Sequence, residues 1–193
     1  MRKTFLIIAI LAVSLISTAC VNKFAVQELN NKAQELLKSG NVEGAISRLE
    51  SSIDLDETVF ETHYNLAVAY MQAKKYDKAM QALEKVKELK PDFADTYHSI
   101  AVINEEKAYD IISGKTDEES QEDGVQKNTL TDEDKQDVCN FLGAAIDNYN
   151  TYIVKKADAS DKDKVNSKID ELNKELRKYS EDSEVQNDGV KVE

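Results

Sequence analysis

Apolar positions return along this chain every third or fourth residue, the spacing of helices with one buried stripe. Small and aromatic side chains fill the stripe from Ala33 through Tyr64, Leu66, Ala67, Tyr70, Ala79, Leu83 and Val86. It resumes at Tyr97, Ile100 and Ala101, on a helix expected to run to about Ile112. After a polar gap, Phe141, Ala145, Ile146, Tyr149, Tyr152 and Ile153 mark another helix. A last, narrower seam joins Val165, Ile169, Leu172, Leu176 and Tyr179 in alternating steps of four and three. The pattern is all-α.

The stripe also repeats on a longer period. Ala33, Ala67 and Ala101 stand 34 apart, as do Ala45 and Ala79, Leu49 and Leu83, and Leu55 and Leu89. Gly40-Asn41-Val42 falls in register with Lys74-Lys75-Tyr76, the turn between the two helices of a unit. Tyr64 to Tyr70, Tyr76, Ala79, Leu83, Val86 and Leu89-Lys90-Pro91 together resemble a tetratricopeptide repeat. Residues 60–93 meet nearly every expected small, aromatic and proline position, whereas 26–59 match more loosely, with Lys32 and Glu57 at atypical places. The resemblance implies stacked helix pairs, because no single unit can bury its apolar face alone.

A third unit, 94–156, is interrupted by residues 113–136, rich in Asp, Glu, Ser and Gly and far longer than ordinary helix connections. Thr131 with Asp134 reads as a helix N-terminal cap. The expected fold is therefore a short tetratricopeptide superhelix of about three helix pairs, followed by a capping helix over 160–180 that starts on Ser160 and Asp163. A coiled-coil dimer is the competing use of that seam, but it covers only about two heptads of the three to four needed. Residues 181–193 show no periodicity and are expected to be disordered.

Ahead of the repeats the pattern differs. Arg2 and Lys3 precede an uncharged apolar run, Phe5 to Ile16, then the small residues Ser17-Thr18-Ala19 and Cys20. This is the architecture of an export signal, with a run too short for the ~20 residues of a membrane-spanning helix. Leu15 to Cys20 resembles a bacterial lipobox, although Ser17 stands where Leu is usual. The resemblance implies a signal peptide over 1–19, acylation of Cys20 and a short tether over 20–25. Ordinary secretion after Ala19, with Cys20 unmodified, is the alternative.

Charge narrows the partners. The net charge is −12, and removal of Arg2 and Lys3 with the signal leaves −14. Nucleic acid, whose phosphates need Lys and Arg, is disfavoured, and membrane attachment must come from acyl chains rather than from anionic lipid. With only Cys20 and Cys139, no disulfide framework is expected.

Candidates for chemistry are sparse. His63 and His98 lie on successive first helices without metal-ligand spacing, and Cys139 has no sequence-near His or second Cys. If Gly124 were the turn glycine of a calcium loop, the closing Glu would fall on Leu130, so loose screening by Asp117, Glu118, Glu119, Glu122 and Asp123 is all that loop offers. No catalytic residue, metal site or cofactor is expected, and the chain reads as a non-enzyme.

The remaining candidate is a surface. The resemblance implies a concave face lined by first-helix side chains: Asn30, Gln34 and Leu37, then Tyr64, Val68 and Met71, then His98 and Val102. One branch of the family grips a C-terminal carboxylate with Lys, Asn and Arg; the matching positions are Asn30, Gln34, Asn65, Asp95 and Ser99, where only Asn65 agrees. Chaperone-tail binding is thereby excluded. The expected role is a membrane-tethered, non-catalytic adaptor for other envelope proteins, on the exported side of a bacterial membrane, with homo-oligomerisation left open. The alternatives are a periplasmic ligand-binding accessory to a transporter and a groove covered by the chain's own terminal helix or insertion.

Overall fold

The computed structural model describes residues 22–114, 130–156 and 160–185, which hold seven α-helices and no strand. Helix α1 covers 22–38, α2 Val42–Leu55, α3 Phe60–Gln72, α4 Tyr76–Leu89, α5 Ala94–Ile112, α6 Asp132–Lys155 and α7 Lys162–Val185. They form two compact units that divide between Pro91 and Asp92.

Unit 1 contains α1 to α4, with α2 packed on α3 and α3 on α4. The stripe read from sequence is its core: Ala33, Ala45, Leu49, Ala67, Ala79, Leu83 and Val86 are all fully buried. Burying a Leu or Val side chain is worth about 1.5–3 kcal/mol, and the alanines let the helix backbones approach closely. Both pairs turn in the same way. At the end of α1, Asn41 N–H donates to Leu36 O at 2.9 Å and Gly40 N–H to Leu37 O at 3.1 Å. At the end of α3, Lys75 N–H donates to Tyr70 O at 2.9 Å and Lys74 N–H to Met71 O at 3.0 Å. This closure needs a left-handed residue, and Gly40 (φ +81°) and Lys74 (φ +57°) supply it 34 positions apart. Asn41 then caps α2, its Oδ1 accepting from Gly44 N–H at 3.0 Å.

Unit 2 contains α5, α6 and α7. Helix α6 packs on both neighbours, and Ala101, Ala108, Val138, Leu142, Ala145, Tyr149, Tyr152, Val165, Ile169 and Leu172 share one apolar core. The split third pair therefore closes across its insertion, and the α7 seam is buried within its own unit. Thr131 begins α6 with a reciprocal cap: Asp134 N–H donates to Thr131 Oγ1 at 3.1 Å and Thr131 N–H to Asp134 Oδ2 at 2.7 Å.

Several boundaries move from their sequence expectations. Helix α1 already includes 22–25 of the tether expected over 20–25, because a nucleated helix extends through Asn22 and Lys23 at little cost. The insertion is shorter than 113–136: Asp132 to Gln136 are helical, and Gly114 (φ +69°) closes α5. Helix α7 continues to Val185 and starts at Lys162, with Asp161 O accepting the first helical bond from Val165 N–H at 3.0 Å. Asp161, not Ser160, thus holds the cap position. The export signal, Cys20 and residues 117–123 of the insertion lie outside the described residues. Among the described residues no helix is long and apolar enough to cross a membrane.

Candidate functional site

In unit 1 the first-helix face runs along α1 and α3. Helical spacing puts Gln34 and Leu37 on one strip of α1 and Tyr64, Val68 and Met71 on the matching strip of α3. Gln34 is exposed, and the other four are half-buried. The strip is apolar at its centre, with Lys38 exposed on α1 and Glu61 on α3.

Asn30 departs from the expectation. It is 7% exposed and sits in a polar knot rather than on an open face. Its Nδ2 lies 2.9 Å from Val26 O, 3.0 Å from Ser52 Oγ and 2.9 Å from Thr62 Oγ1, while Oδ1 accepts from Asn65 Nδ2 at 2.9 Å. A buried amide is tolerated only when it is bonded in this way, so the knot ties α1 to α2 and α3. The sequence signal was Ser52, a hydroxyl at the register position where the next unit has Val86. His63 is also buried, its Nε2 donating to Glu57 O at 2.8 Å, and it packs rather than binds.

Unit 2 treats its face differently. His98 lies edge-on to Tyr149 and Tyr152, with ring centroids 5.4 and 5.0 Å away. Burial lowers its imidazole pKa, against the upward pull of Asp161 and Asp95. Lys156 donates to Asp95 Oδ1 at 3.2 Å and to Tyr152 OH at 2.8 Å, and Tyr152 OH donates to Asp161 Oδ2 at 2.7 Å. Tyr149 OH donates to Glu105 Oε2 at 3.0 Å, and Lys168 of α7 donates to Glu105 Oε1 at 3.0 Å. Val102 packs against the core cluster. His98 and Val102 are thus engaged within their own unit, His98 by α6 rather than by the terminal helix or the insertion.

Three of the five carboxylate-clamp positions are also engaged internally. Asn30 and Asn65 bond each other, and Asp95 is paired with Lys156. Cys139 is half-buried, and burial pushes its thiol pKa up, away from nucleophilic reactivity. Among the described residues no three His, Cys, Asp or Glu side chains are grouped to hold a metal.

Helix pairs repeated at this period, with this turn closure, define a helical-repeat protein. Residues 36–101 match the family model described as tetratricopeptide repeat. No curated protein matches the sequence. Among solved structures, the second such domain of human RPAP3, in complex with the HSP70 peptide SGPTIEEVD, has a TM-score of 0.53 at 14% identity over 77% of this chain and 98% of that one. The first such domain of Spaghetti (RPAP3), bound to the HSP90 peptide SRMEEVD, has a TM-score of 0.50 at 17% identity over 81% and 90%. At these identities the likeness is one of fold. The fold generally serves as a non-catalytic scaffold for protein interaction.

Proposed function

We propose that this protein is a lipoprotein adaptor of the bacterial cell envelope, tethered through acylated Cys20. It takes its partner on the α1–α3 face of unit 1. The observation that carries the docking assignment is the strip of Leu37, Tyr64, Val68 and Met71, apolar and only half-buried, on the face where helical repeats receive peptides and helices. The domains of similar fold hold the peptides SRMEEVD and SGPTIEEVD, but the internal bond between Asn30 and Asn65 removes those amides from a carboxylate clamp. An amphipathic segment of another envelope protein suits the strip better, with apolar anchors against Tyr64 and Met71. The tether rests on the Arg2-Lys3, Phe5–Ile16 and Cys20 pattern.

Two variants test the parts separately. Cys20→Ala is expected to abolish palmitate labelling and release the protein from membranes; retention without label contradicts the tether. Tyr64→Ala with Met71→Ala, checked for unchanged helical content, is expected to lose the partners that wild type recovers by crosslinking. Recovery of the same partners contradicts the docking face.

A further inference from the structure

Phe24 is the one large aromatic side chain among the described residues that is left mainly in water, at 74% exposure. It lies on the opposite side of α1 from Val26, which the unit 1 core buries. Its helical neighbours on that side, Gln27, Glu28 and Asn31, are exposed and polar, so no apolar patch surrounds it. A single exposed apolar residue is ordinary on a protein surface; what distinguishes Phe24 is where it stands. It is four residues from Cys20, within at most ~14 Å even if the intervening chain is extended. Lys23 beside it is exposed as well, in the first described turn of α1. Its ammonium is a cation able to pair with a lipid phosphate.

We infer that Phe24 and Lys23 form a second, shallow membrane contact beside the acyl anchor. Phe24 inserts at the level of the lipid headgroups and Lys23 pairs with their phosphates. The inference rests on the lipoprotein reading above and commits to a bilayer as the occupant. The ring leaves water for the interface, and a single residue of this kind fixes the orientation of α1 rather than supplying the anchoring itself. The net charge of −14 on the mature chain would hold the rest of the surface off anionic lipid.

The chain has no tryptophan, so Phe24→Trp places a unique fluorophore at the contact. The full-length lipidated protein would be reconstituted in phosphatidylcholine–phosphatidylglycerol vesicles, with and without brominated acyl chains, and compared with Val154→Trp. The expected result is a blue-shifted emission for Phe24→Trp that loses most of its intensity to brominated lipid, while Val154→Trp stays solvent-like and unquenched. A solvent-like, unquenched Phe24→Trp on vesicle-bound, palmitate-labelled protein overturns the inference and leaves the tether standing. A blue shift already present on a Cys20→Ala background in buffer also overturns it, because the chain itself or a second copy then covers the ring. Absence of both palmitate and vesicle binding brings down the tether, and this contact with it.

Discussion

Asn65 of α3 donates to Asn30 of α1 at 2.9 Å, and that single bond closes a buried knot joining the first three helices of unit 1. Asn30 therefore holds unit 1 together instead of meeting a partner. Asn30→Ala should leave Asn65 Nδ2 without this acceptor and reduce Ser52 and Thr62 to their 3.5 Å contact, destabilising unit 1 by about 1–3 kcal/mol, the cost of a buried polar group left unpaired. Asn65→Ala, at a half-buried position, should cost less. Denaturant unfolding followed by circular dichroism checks the order.

Gly40 and Lys74 adopt the same left-handed conformation in equivalent turns. For a residue with a Cβ this costs ~1–2 kcal/mol. Lys74→Gly should accordingly stabilise unit 1 by up to about 1 kcal/mol, and Gly40→Ala should destabilise it by a similar amount. Opposite shifts in melting temperature are the readout.

Tyr70 is 9% exposed and donates to Glu50 Oε1 at 3.0 Å. Burial first, then the Glu50 carboxylate, push its phenol from 10.0 up to about 12. The folded state thus keeps this proton longer than the unfolded chain. Its contribution is complete below pH 10 and is lost as pH rises toward 12. Tyr70→Phe should remove on the order of 2 kcal/mol of alkaline destabilisation across that window, measured by unfolding at a series of pH values.

Glu105 of α5 takes a bond from Tyr149 of α6 and another from Lys168 of α7, and its side chain is only 13% exposed. Glu105→Ala deprives both donors and should loosen α7 by about 1–3 kcal/mol. Lys168→Ala should cost less, because that end is 35% exposed and screened by water. Hydrogen exchange of the α7 amides separates the two.

The helix pairs, their shared turns and the Thr131 cap were legible because each depends on neighbours in sequence. Ala33, Ala67 and Ala101 announce the repeat, and burial follows from the stripe. What spacing could not tell is which first-helix side chains stay open. Asn30, Gln34 and Leu37 share one stripe, yet Asn30 is drawn inward by Ser52 and Thr62 from two other helices. His98 is likewise taken by Tyr149 and Tyr152, across the insertion in sequence. The start of α7 moved for a similar reason: Tyr152 reaches Asp161, which a local reading of Ser160 and Asp163 does not contain.

The docking face is tested most directly by a photo-crosslinking residue placed at Val68, on the α3 strip, and compared with the same residue at exposed Ser51 on α2. A specific crosslinked partner from position 68 and none from position 51, in intact cells, is the predicted result. Equal crosslinking at both positions, or a partner captured only from position 51, would contradict it.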